Sequence, residues 1–281
     1  MCRFVLYMGP RITLDQLTTQ PEHSIIHQSF QARLREEPLN GDGFGVSWYV
    51  PELSPEPALF RSVQPAWNNM NLLHLARVSQ SPVILAHVRA STGTAVSESN
   101  CHPFNAGRLS FMHNGSVEDF LKLKRELVNQ LSNEAFLSIQ GTTDSEHLFA
   151  LFRDQVAGHA ETEPLEALAA ALEDTIDNLK RLAAKAGAEE LFYLNIAVSD
   201  GQRAVVSRYA TLTSAAPSLW YWKGEKYRCL DGVCQMLDGP RLETVIVSSE
   251  PLTADETWQE VPPQHLVLID SDRRVKLRQV P

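Results

Sequence analysis

Short apolar segments occupy both ends of the chain and long periodic helical segments the middle, and few folds accommodate that order. Residues 3–8 are apolar and aromatic and stop at Gly9-Pro10, which reads as a buried strand. Residues 44–50 are rich in β-formers and are stopped by Pro51; the three prolines within 51–57 make an exposed turn. Residues 83–88 and 109–112 read as two more strands, apolar enough to be central, and 68–77 as a short helix. The middle is helical over 117–131 and 145–156. Leu165, Leu168, Leu172, Ile176, Leu179 and Leu182 then form one amphipathic stripe that Gly187 ends. Strands return at 191–198, 204–209, 219–222, 244–247 and 266–269, with Asp200-Gly201 marking a hairpin between the first two. Strands, helices, then strands with hairpin-length links predict an α+β fold rather than a parallel βαβ sheet. No compositional break or internal repeat divides residues 1–281, which read as a single domain.

Charge narrows the function. The 281 residues carry 34 acidic and 25 basic side chains, a net charge of -9, which disfavours nucleic acid as a partner. No apolar run approaches the roughly 18–20 residues that would span a bilayer, and the N-terminus lacks a signal-peptide pattern, so a cytoplasmic protein without membrane partners is expected. Cysteines at 2, 101, 229 and 234 are too sparse for a disulfide scaffold. Gly41, Gly43 and Gly45 precede a strand and lack dinucleotide-loop spacing. Cys229 and Cys234 have no second Cys/His pair nearby, and His23 and His27 lack a third ligand, so no metal site is read.

Four segments carry chemistry. Cys2 becomes a terminal residue once the initiator methionine is removed, and its α-amine, which ordinarily titrates at about 7.7–8.0, can serve the thiol as general base. Alone, Cys2 reads as a buried cysteine opening a strand. Arg89, followed by Ala90-Ser91-Thr92-Gly93 at a strand end, suits a carboxylate, although a surface salt bridge explains it as well. His113-Asn114-Gly115 reads as a tight turn. With Ser116 capping a following helix, such a turn would aim the Asn114 amide and the Gly115 N–H at one point, as an oxyanion hole requires. Asp144 either caps the next helix or binds an ammonium group. Together these describe a site for a γ-glutamyl amide.

The order of these motifs resembles a class II glutamine amidotransferase domain of the N-terminal-nucleophile hydrolase superfamily. The matching pieces are Met1-Cys2-Arg3, Asn40-Gly41-Asp42-Gly43-Phe44-Gly45, His87-Val88-Arg89-Ala90-Ser91-Thr92, Asn100-Cys101-His102-Pro103-Phe104, His113-Asn114-Gly115, Thr143-Asp144-Ser145-Glu146 and Ser248-Ser249-Glu250-Pro251-Leu252. Within the superfamily the chain looks most similar to the stand-alone glutathione-degrading subunit of fungi. The ergothioneine-pathway γ-glutamyl hydrolase is a more distant relative.

The resemblance implies a four-layer αββα sandwich of two antiparallel sheets. It implies Cys2 as nucleophile, Asn114 and Gly115 as oxyanion hole, Arg89 and Thr92 on the substrate α-carboxylate, and Asp144 on its α-amine. It implies no cofactor and a small γ-glutamyl substrate. A metallopeptidase-like partner follows from the fungal relative, and a synthetase partner from the amidotransferases proper. Since the hydrolase domain would use the whole length, γ-glutamyl hydrolysis is expected ahead of ammonia delivery to a separate acceptor subunit.

Overall fold

A computed structural model describes residues 2–34, 39–91 and 93–280. Its first sheet takes β1 (Arg3–Thr13), β2 (Phe44–Trp48), β3 (Ala58–Ser62) and β4 (Gln80–Val88) from the start of the chain. β9 (Trp220–Gly224), β12 (Thr244–Ser248) and β13 (Gln259–Glu260) join from the end, in the order β13-β9-β12-β1-β4-β2-β3. The second sheet takes β5 (Phe104–Ala106), β6 (Leu109–Val117), β7 (Phe192–Ser199), β8 (Ala204–Ala210), β14 (His265–Ile269) and β15 (Val275–Gln279), in the order β15-β14-β8-β7-β6-β5. The pairings within both sheets are antiparallel, including those between strands far apart in the chain such as β1 with β12. A separate hairpin joins β10 (Lys226–Leu230) to β11 (Val233–Leu237).

Alternation along β1 builds the layers. Phe4, Leu6 and Met8 point between the sheets, where they meet Met112, Ala197, Val206 and Val267 of the second sheet. Val5 and Tyr7 point outward to a core shared with α1 (Leu14–Thr18), α2 (Ile25–Gln28) and α3 (Met70–Ala76). The outer face of the second sheet packs Phe111, Leu194 and Ile196 against α4 (Phe120–Gln130), α6 (Asp144–Gly158) and α7 (Pro164–Ala186). Short α5 (Asn133–Leu137) links α4 to α6. The result is the four-layer αββα sandwich, and burial on both faces explains why β1 and β4 read as continuous apolar runs.

Local chemistry explains most element ends. α7 opens with Pro164 behind Glu163, whose carboxylate accepts from the Leu165 and Glu166 N–H groups, and closes at Gly187 in the left-handed region (φ 61). Asp200-Gly201 turns β7 into β8 as expected. Three expectations fail. β1 does not stop at Gly9-Pro10 but continues through a register irregularity between Met8 and Ile12, where a proline is tolerated. The helix expected from 117 begins at Phe120, after Asp119, so Ser116 caps nothing.

The third failure is His113-Asn114-Gly115, which is not a turn. It lies inside β6, paired with Ile196, Asn195 and Leu194 of β7. A long ladder overrides the local Asn-Gly signal, and the glycine answers a different need. A Cβ on Gly115 would stand 1.7 Å from the Tyr193 carbonyl oxygen and 2.7 Å from His113 Nε2. Gly115→Ala is therefore expected to cost about 1–3 kcal/mol, as overpacking does. Thermal unfolding that matches the unsubstituted protein would contradict that close approach.

Candidate active site

The register of β1 against β4 pairs Arg3 with Val88, which sets Cys2 beside the residues that follow β4. Cys2 Sγ lies 3.5 Å from the Ala90 N–H and 3.6 Å from the Ala90 carbonyl. Burial raises the thiol above its ordinary value, while the Ala90 N–H and the Arg89 guanidinium pull it down. A thiol held this way needs a base close at hand.

Arg89 is 3% exposed, so it is not a surface residue. Its guanidinium donates to the Asp42 carbonyl (3.3 Å), Ser91 Oγ (3.2 Å), Thr94 Oγ1 (2.7 Å) and the Ala95 carbonyl (3.3 Å). All four acceptors are neutral, and among the described residues no carboxylate pairs with it. A buried cation without a counter-ion is costly, and a ligand carboxylate would remove that cost. Asp42 frames the arginine from the other side: its carboxylate accepts from the Ser91 N–H at 2.7 Å, and its N–H bonds the Arg89 carbonyl at 3.0 Å. Gly43 completes the frame at φ 115, where its carbonyl accepts from the Arg89 N–H and a Cβ would meet Cys101 Sγ at 2.5 Å.

Asp144 is the first residue of α6 rather than its cap; Thr143 caps, accepting from the Glu146 N–H. The Asp144 carboxylate is held by the Val117 N–H at 3.0 Å and the Ser145 N–H at 2.7 Å. It lines the same cavity of about 630 Å³ as Cys2, Arg89 and Gly115. Asn114, one residue from Gly115, is fully buried between the sheets, with its side-chain Nδ2 3.2 Å from Ser249 Oγ. Thr92 falls outside the described residues. Four of the six expected residues thus share one cavity, and Asn114, next to Gly115 in β6, is buried and does not line it.

His102 and His113 line the cavity, and His87 packs beside them. His113 lies between the Tyr193 carbonyl and Ser145 Oγ, each at 2.9 Å. His87 donates from Nε2 to the His113 carbonyl at 3.1 Å, and burial lowers it to about 3, so it is neutral at pH 7. His102 stacks on His87 with centroids 4.1 Å apart, and burial likewise holds it well below the usual histidine range. Among the described residues no three His, Cys, Asp or Glu side chains are placed to hold a metal ion.

Sequence reasoning missed what anchors Cys2. Arg3 donates from Nη1 to the Cys2 carbonyl (3.0 Å) and from Nε to Glu250 Oε1 (2.8 Å). Glu250 is fully buried; its Oε2 meets His23 Nε2 at 2.6 Å and accepts from the Arg33 N–H at 2.8 Å. Burial alone would raise this carboxyl, but His23, the Arg33 N–H and Arg3 together hold it down to about 2. A lone glutamate after a strand carries no such signal, and its partners lie more than two hundred residues away in the chain. His23, read as an ordinary side chain, is part of this network. Cys229 and Cys234, which had no assigned role, face each other across β10 and β11 as a disulfide, with Cα atoms 3.9 Å apart.

The family model for class-II glutamine amidotransferases matches residues 16–280. The chain belongs to that family. This class-II amidotransferase is 42% identical over 291 aligned positions to the probable glutamine amidotransferase DUG3 of Saccharomyces cerevisiae, covering 96% of this chain and 82% of that one. It is 26% identical to the gamma-glutamyl-hercynylcysteine sulfoxide hydrolase of Mycobacterium tuberculosis, over 95% of this chain and 92% of that one. A solved class-II domain protein from Silicibacter pomeroyi, 27% identical, superposes with a TM-score of 0.68 over 99% of this chain and 98% of that one. Amidohydrolase chemistry is therefore the frame for the cavity of this amidotransferase.

Proposed function

We propose that the chain hydrolyses γ-glutamyl amides through Cys2, glutathione or a related γ-glutamyl thiol compound being the substrate. The observation that carries this reading is the buried Arg89 guanidinium, which has no carboxylate partner among the described residues and shares one cavity with the Cys2 thiol and the Asp144 carboxylate. Arg89, with Thr92, binds the α-carboxylate of the glutamyl group and Asp144 its α-ammonium, which leaves the γ-carbonyl to the thiol.

Removal of the initiator methionine frees the Cys2 α-amine, which takes the thiol proton. Thiolate attack forms the C–S bond, and Asn114 and Gly115 stabilise the resulting oxyanion. The amine returns the proton to the departing nitrogen as the C–N bond breaks. Water, deprotonated by the same amine, then cleaves the thioester and releases glutamate. The relative named for hydrolysing a gamma-glutamyl compound supports a peptide-type leaving group. The yeast relative's name favours a second reading, in which glutamine is cleaved and ammonia passes to a separate acceptor subunit. A metallopeptidase-like partner would fit the first reading and a synthetase the second.

The deciding measurement is glutamate release by methionine-processed protein from glutathione and from glutamine. Faster release from glutathione is expected; a clear preference for glutamine would replace the first reading with the second. Arg89→Lys keeps the charge but loses the planar fork, so KM is expected to rise at least about tenfold with a smaller change in kcat. An unchanged KM in steady-state kinetics would remove Arg89 from the carboxylate site.

A further inference from the structure

Ser249 follows β12 and is completely buried, and its bonds tie it to β1, the strand that Cys2 immediately precedes. Its N–H donates to the Phe4 carbonyl at 3.0 Å, the Phe4 N–H donates to its Oγ at 3.0 Å, and its carbonyl accepts from Ser218 Oγ at 2.8 Å. The serine oxygen is therefore fixed relative to β1. The only other described group on that oxygen is the side-chain amide of Asn114, at 3.2 Å.

The hydrogen-bond count at this contact selects an orientation for the amide. A serine hydroxyl has one proton to give. With Nδ2 turned towards Ser249, the hydroxyl accepts twice, from Phe4 and from Asn114, and among the described residues its own proton has no acceptor. In that orientation Asn114 Oδ1 is also buried without a partner. Turning the amide by 180° fills the same volume and removes both deficits, because Ser249 Oγ–H then donates to Oδ1. Nδ2 then occupies the buried position where the amide oxygen had no hydrogen-bond partner, and an oxyanion hole needs a donor that the protein has not already engaged.

We propose that Ser249 is a positioning residue: its hydroxyl, held by Phe4, donates to Asn114 Oδ1 and so locks the amide with Nδ2 turned to the site of the developing oxyanion. The serine touches no reacting atom and acts only through Asn114. One residue thereby couples the nucleophile strand of the first sheet to the oxyanion strand of the second. This deepens the proposed function and rests on its assignment of Cys2 and Asn114.

A double-mutant cycle tests it, with kcat and KM for glutamate release measured on Ser249→Ala, Asn114→Ala and the double variant. Ser249→Ala is expected to lower kcat about 10- to 100-fold with KM within about twofold, a partial loss of what removing an oxyanion donor costs. The double variant is expected to match Asn114→Ala within about twofold, because a missing amide cannot be misaligned. Ser249→Thr keeps the hydroxyl and is expected to recover at least about tenfold in kcat over the alanine variant. Multiplicative losses in the double variant, an unchanged kcat in Ser249→Ala, or a threonine variant as slow as the alanine would overturn the assignment. Cys2→Ala, run in parallel, reports on the parent reading separately: activity remaining there removes the nucleophile, whereas multiplicative losses beside an inactive Cys2→Ala remove Ser249 alone.

Discussion

Cys2→Ala is expected to abolish glutamate release, with kcat falling by at least about 10⁴-fold, the order seen when a covalent nucleophile is deleted. The alanine leaves Arg89 and Asp144, the proposed anchors, in place, so a γ-glutamyl ligand should still bind. Calorimetric titration with a γ-glutamyl compound, unchanged beside the lost turnover, would separate chemistry from capture. A protein that retains its initiator methionine should be nearly as slow, because the proposed base is then a peptide nitrogen. Burial already works against the thiolate, and the Ala90 N–H and Arg89 only oppose that effect. Mass spectrometry of the terminus beside the rate assay checks this directly. Turnover that persists with the methionine in place would eliminate the α-amine as base.

Glu250→Ala is expected to produce the largest loss of stability, about 3–5 kcal/mol. It leaves the Arg3 guanidinium buried with its carboxylate partner gone and strips an acceptor from His23 and from the Arg33 N–H. For a domain of this size that lowers Tm by roughly 10 °C. Glutamate release should fall as well, since Arg3 holds the Cys2 carbonyl. The pH dependence has a definite sign. The folded carboxyl sits at about 2, below its ordinary value of 4.5, so its contribution is present above pH 4.5 and is lost as pH falls from there towards 2. Chemical denaturation at pH 7 and at pH 3 should therefore show the unsubstituted protein losing stability in acid, while Glu250→Ala, weaker throughout, loses less between the two. An identical acid loss in both proteins would exclude Glu250 as its source.

The strand and helix order, the hairpin at Asp200-Gly201 and the end of α7 at Gly187 were legible in the sequence, because local patterning and turn chemistry act over a few residues. Patterning failed where distant partners decide. The short helices over 14–18 and 25–28 and the disulfide-bonded hairpin over 226–237 have weak local signals and take shape against β1. Asn114-Gly115 carried a strong turn signal that eight paired residues of β7 overrode.

The same division runs through the site. Sequence alone determined which residue types meet: a cysteine at position 2, an arginine behind a strand, an asparagine-glycine pair and an aspartate at a helix start, spaced in an order that one family shares. Tertiary structure decided what each of them faces. Only the β1–β4 register sets Cys2 against Ala90, and only the fold buries the Arg89 guanidinium among neutral oxygens. Only the meeting of β1 with the segment after β12 brings Arg3 to Glu250 and Phe4 to Ser249. Residue type and spacing are local properties of the chain, whereas burial and the pairing of charges depend on which segments the two sheets bring together.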